Sequence, residues 1–164
     1  MFAGPALPVL GTPREGPLGI EVQMPLGWRK IGAAPDRISY TNGLSTAWRS
    51  SATVLAVQGC GAAADLVRGL VAQDLWRVAD VGALRAVDVS APQPIEVRAM
   101  PALRVAATVL GEEGQAHLDT VCIEQDQTAL AVLVLQPISD RPARSGLSER
   151  IARTLRWPVL PSQR

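Results

Sequence analysis

The stretch "VQMPLGWRKI" at residues 22–31 decides how this chain is read. Val22 and Met24 alternate with Gln23, and Ile20 and Glu21 extend the pattern upstream, so "GIEVQMP" reads as a half-buried strand that stops at Pro25. Pro25 and Gly27 supply turn chemistry, because proline presets its own φ and glycine reaches φ values closed to other residues. Trp28 follows at once, in a chain with only 4 Trp, 1 Phe and 1 Tyr. A rare large ring beside a turn is expected to cover the end of an aliphatic core.

Strand signals continue downstream. "RISYTNG" places Ile38 and Tyr40 on one side of a short strand, with Asn42 and Gly43 as a turn. "SATVLAVQ" at 51–58 is apolar on both parities, as expected of a central strand covered on both faces. "GAAADLVRGLVAQDLWR" at 61–77 has helical periodicity, with Ala63, Val67, Leu70, Val71 and Leu75 on one stripe. "LRAVDV" and "IEVRAM" follow as extended segments. "ALRVAATVL" then alternates cleanly, with Leu103, Val105, Ala107 and Val109 inward and Arg104 and Thr108 outward. "AHLDTVCIEQ" and "TALAVLVLQP" form a hairpin joined near Asp126 and Gln127. A terminal helix is expected from Ser145 or Ser148, carrying Leu147, Ile151 and Leu155 until Pro158 stops it. The order implies an α+β fold: an antiparallel sheet of about six to seven strands packed with two main helices.

Composition sets the outer bounds. At 164 residues the chain is long enough for one domain to bury a core without metals or several disulfides. Residues 1–17 are expected as a flexible Pro/Gly-rich lead-in, 18–158 as a single domain and 159–164 as a tail. A hydrophobic fraction of 48% excludes a disordered chain, and a formal net charge of +1 leaves no footprint for nucleic acid. Lys30 is the single lysine. The longest apolar run, "ALAVLVL" at 129–135, is strand length, so no transmembrane segment is expected. The N-terminal stretch lacks a basic n-region and a lipid-accepting Cys. The chain as written is therefore expected in the cytoplasm, or in the cell envelope if it is the mature part of a longer precursor.

The opening "GIEVQMPLGW", the apolar strand with its following helix, the "VRAMPALRV" strand entry and the closing hairpin and helix together resemble the PsbP-like family, which includes DcrB- and LpqN-type proteins. The resemblance covers about residues 18–157. Two features depart from it: Met100 stands where a small residue is expected before Pro101 and Ala102, and the lipidated N-terminus of the LpqN type is missing. The resemblance implies a PsbP-like sandwich that binds and positions other proteins, or assists assembly and transport at membranes, without catalysis. It supplies no catalytic motif.

Gly59, Gly61 and Ala64 match a GxGxxA fingerprint between a strand and a helix, with Asp80 further on, so a nucleotide binder is one alternative. A dinucleotide fold needs repeated strand-helix-strand crossovers, however, and residues 82–144 offer strands and turns. His117 is the single histidine; it shares a strand face with Asp119, while Cys122 falls on the other. Glu112 and Glu113 are adjacent in a turn and diverge, whereas paired-carboxylate chemistry needs convergence. Cys60 and Cys122 have neither CxxC spacing nor a His cluster, leaving free thiols or one disulfide rather than a metal site. No catalytic residue, metal or cofactor is therefore expected.

Binding remains. Trp48 and Arg49, of residue types enriched in interface anchors, are the candidate partner-binding pair. The leading expectation is a protein-protein adaptor, chaperone or assembly factor. The alternative is an envelope carrier whose aliphatic core holds an acyl lipid.

Overall fold

The run at 128–137 is the axis of the molecule. Every residue of it from Ala129 to Leu135 is at most 1% exposed, as a strand covered on both faces requires. In the computed structural model the described residues are 9–42, 50–58, 85–111, 114–125, 127–137 and 146–157. Within them run β1 (Leu10–Glu15), β2 (Glu21–Pro25), β3 (Arg29–Ala34), β4 (Arg37–Thr41), β5 (Ser51–Gln58), β6 (Arg85–Val89), β7 (Gln93–Val97), β8 (Met100–Gly111), β9 (Gly114–Gln125), β10 (Thr128–Pro137) and one helix, α1 (Leu147–Ala152).

An eight-stranded antiparallel sheet has the order β3-β4-β5-β10-β9-β8-β6, with β7 also paired to β8. β1 and β2 form a separate two-stranded hairpin joined by a 3-10 turn at Pro17–Gly19. Among the described residues the architecture is thus mostly β, with one helix of 6 residues. This corrects the expected α+β sandwich with two main helices. The first expected helix, at 61–77, lies outside the described residues. The second is cut short because the chain leaves α1 by a turn, Thr154 N-H donating to the Ile151 carbonyl, and then runs extended. There Arg156 and Glu21 exchange both backbone hydrogen bonds at 2.9 Å. Backbone pairing along β2 competes with further helix and wins.

Parity sorts the core into two layers, since successive side chains of a strand point to opposite faces. The register Ile38↔Val54↔Val132↔Val121 carries the first face. Ile20, Val22 and Met24 from β2 and its lead-in, and Leu147, Ile151 and Leu155 from α1 and beyond, pack against it. The second face gathers Leu55, Val105, Val109, Leu118, Cys122, Leu133 and Leu135, all buried. The inward set read along β8 therefore belongs to this second layer, with Leu103 half-buried beside it.

Three further differences from the sequence reading have physical causes. Part of the expected lead-in, Leu10–Glu15, is a strand, because the hairpin returns it onto β2 in antiparallel register. "IEVRAM" is not one segment: Arg98 and Ala99 take φ of 52° and 64° and turn β7 directly into β8. That is the backbone of a two-residue hairpin loop, which usually selects Asn-Gly. Outward-pointing Arg104 is only partly solvated, because it lies on the first face beside α1.

Its partner is Asp119. The guanidinium donates Nε to Oδ1 at 2.9 Å and Nη2 to Oδ2 at 3.1 Å, and the Ser148 hydroxyl donates to Oδ2 at 2.8 Å. Asp119 and Ser148 are buried, so these bonds satisfy groups that would otherwise be costly to desolvate. The hydrogen bonds to Asp119 hold the Arg104 pKa above its ordinary value, against the opposing effect of burial. The cluster clamps α1 to β8 and β9.

Candidate functional site

The opening stretch resolves into a turn and a groove wall. Trp28 N-H donates to the Pro25 carbonyl at 3.2 Å, closing a four-residue turn. Gly27 sits at its third position with φ of 83°, the positive value a type II turn demands there. The turn delivers Trp28 half-buried against the margin of the first core layer. The expected core cover is therefore partial: one side of the ring packs inward and the rest faces a groove.

That groove has a volume of about 600 Å³ and is lined by Arg14, Glu15, Trp28, Arg29, Lys30 and Tyr40. Each wall follows from strand geometry. Lys30 is the register partner of Tyr40 in the β3-β4 pair, so both side chains project from the same face of the sheet. Arg14 comes from β1, on the hairpin that covers this face, and its guanidinium carbon lies 5.7 Å from the centre of the Tyr40 ring. The distance suits a cation-π contact. Tyr40 is buried and forms the floor, while Arg14, Glu15, Arg29 and Lys30 are exposed. Ile31, 42% exposed, follows Lys30 on β3 at the register irregularity before Gly32. Cations over aromatic rings are suited to holding an anionic or planar group.

The residues singled out in the sequence fall elsewhere. Trp48, Arg49, Cys60 and the Gly59/Gly61/Ala64 turn lie outside the described residues, as do Glu112 and Glu113. Cys122 is fully buried in the second core layer, on β9. His117 is half-buried on β9, opposite Thr108 and Gln136 in register. It shares parity with Asp119 as expected, but that carboxylate is engaged by Arg104 and Ser148. Among the described residues no group of three His, Cys, Asp or Glu side chains is placed to hold a metal, and no helix is long and apolar enough to cross a membrane.

Sequence patterning does not reveal Arg14 and Glu15, which belong to the stretch expected as a lead-in. Lys30 stands out in the sequence only as the single lysine. The available signal was the contiguous Trp28-Arg29-Lys30, an aromatic followed by two cations at the start of a strand.

No protein-family model matches the chain, and no curated protein matches it by sequence. Solved structures do. The solution structure of cyanobacterial PsbP from Synechocystis sp. PCC 6803 matches with a TM-score of 0.59 at 14% identity, covering 84% of this chain and 86% of that one. The fold is PsbP-like. The Ran-binding protein Mog1p of Saccharomyces cerevisiae matches at a TM-score of 0.50 and 12% identity over 88% of this chain and 95% of its own. A protein from Bacteroides thetaiotaomicron has a TM-score of 0.64 and 10% identity over 91% of this chain, which spans about half, 49%, of that longer chain. At these identities the PsbP-like likeness establishes the fold alone.

Proposed function

We propose that this chain is a non-catalytic binding module that docks a protein partner, acting as an adaptor, chaperone or assembly factor. The observation that carries the reading is the groove beside Trp28, where exposed Arg14 and Lys30 flank aromatic surface. Tryptophan, tyrosine and arginine are the residue types that supply most binding energy at protein interfaces. They are held here by paired strands, which fix their geometry before a partner arrives and reduce the entropy lost on binding. The PsbP-like fold, shared with a protein named for binding Ran, is compatible with such a role.

Affinity purification from the source cell tests it, comparing the wild-type chain with an Arg14→Glu/Lys30→Glu variant of equal melting temperature. The reading expects a protein recovered with the wild type and depleted with the variant. A retained acyl lipid in native mass spectrometry, with no groove-dependent protein, would replace the adaptor by a lipid carrier. A nucleotide that raises the melting temperature, as any ligand of the native state must, would instead point to the Gly59/Gly61/Ala64 turn.

A further inference from the structure

The groove is electrically lopsided in a chain that is nearly neutral. Arg14, over the Tyr40 ring, and Lys30, beside Tyr40 in register, face it, while Arg29 and Glu15 border it from the opposite parity of β3 and β1, whereas the whole sequence carries 16 basic and 15 acidic residues. The positive charge is therefore local, and its flexible stems surround the half-buried Trp28 and the Tyr40 floor. The site also has a direction. Trp28, Arg29 and Lys30 are consecutive and lead into β3, the outermost strand of its end of the sheet, which is paired in the ladder with β4. An occupant lying along this wall meets Trp28 and then Lys30, two positions apart and therefore of one parity.

We propose that the groove takes an acidic, extended segment of a protein partner, its carboxylates paired with Arg14 and Lys30 and an apolar or planar side chain laid on Trp28. The proposal rests on the reading of the chain as a protein-binding module and adds the chemistry of the partner. Arg14 presents a planar fork that suits a carboxylate, and its contact with Tyr40 limits the positions that fork samples. Lys30 contributes a compact charge on a flexible stem. Because both cations are exposed, they act on encounter and specificity and are sensitive to salt. Glu15 opposes the same ligand and makes the site discriminate against weakly charged sequences.

Lys30 provides a direct probe, since no other lysine ε-amine exists in the chain. Reductive methylation with carbon-13 keeps its charge and gives one ε-dimethyl NMR signal at the groove. Titration with a synthetic peptide of alternating Glu and Leu is expected to shift that signal saturably, while its Gln/Leu counterpart leaves it in place. Arg14→Glu is expected to weaken the peptide about tenfold or more, as loss of a charge pair at an interface does. Glu15→Gln is expected to tighten it. Salt raised from about 50 to about 500 mM is expected to weaken it, because exposed charges are then screened within a few ångströms. No shift with the Glu/Leu peptide, an equal shift with the Gln/Leu peptide, or tighter binding of a single-stranded oligodeoxynucleotide would overturn the proposal. Recovery of a groove-dependent partner whose contacting segment lacks acidic residues would overturn it too, while leaving the binding-module reading intact.

Discussion

Asp119→Ala is expected to destabilise the protein by about 3 to 4 kcal/mol, the range for removing one member of a buried, hydrogen-bonded ion pair. The substitution deletes three hydrogen bonds to one carboxylate, two from Arg104 and one from Ser148. The side chains of Arg104 and Asp119 are 25% and 3% exposed. Arg104 can thus recover part of its hydration, but Ser148, with no exposure, is left with a stranded hydroxyl that alone costs about 1 to 3 kcal/mol. Arg104→Met should cost about as much or more, because it strands the less exposed charge. The triple change Arg104→Met/Asp119→Leu/Ser148→Ala removes every polar group of the clamp and should return to within about 1 to 2 kcal/mol of wild type, since well-packed apolar replacements often match a buried ion pair. Urea unfolding reads these differences from midpoints, provided the slopes agree. A loss under about 1 kcal/mol for Asp119→Ala, or a triple variant less stable than either single, would refute this account of the clamp. The pH dependence has a definite sign. A cation whose folded pKa is raised, as that of Arg104 is, contributes fully below its unfolded pKa and loses that contribution only as pH rises through the folded one. The window therefore lies in strong alkali, and a stability scan through neutral pH should show no step from Arg104.

Further outcomes follow from the turns and the groove. Trp28→Ala should cost about 1 to 3 kcal/mol, less than full core truncation because the ring is only half-buried, with the change in urea midpoint as the measure. Gly27→Ala should cost about 1 to 2 kcal/mol through its positive φ alone, since an added Cβ there meets nothing within 4 Å; a neutral result would contradict the type II turn. Ala99→Gly should raise stability by about 0.5 to 1 kcal/mol, as glycine relieves a left-handed conformation. A fall in melting temperature for that variant would show that the hairpin is not strained.

Much of the sheet was legible because strand parity writes burial directly into sequence. "SATVLAVQ" matches β5 residue for residue, and "TALAVLVLQP" is β10, the double-covered centre. The terminal apolar triplet Leu147, Ile151 and Leu155 predicted the buried side of α1, though not its length. Backbone pairing between Arg156 and Glu21, two residues far apart in the chain, ended that helix, and periodicity carries no trace of such a long-range ladder. β1 was hidden for a related reason: its residues are mostly exposed, so nothing alternates, and only the return of the hairpin makes it a strand. Arg98 and Ala99 concealed a turn because their residue types disfavour the φ they adopt. The candidate site was missed with β1. Arg14 reaches Tyr40 across 26 positions of sequence, a proximity that only the folded hairpin creates.

The claim that this groove docks a protein partner is tested most directly by a photo-crosslinking residue placed at Ile31, exposed on β3 next to Lys30, with a control at exposed Glu96 on β7 near the opposite edge of the sheet. Irradiation in the source cell should give a discrete protein adduct from position 31, absent from position 96 and lost when Arg14→Glu and Lys30→Glu are added. No adduct from position 31, or equal adducts from both positions, would contradict the account.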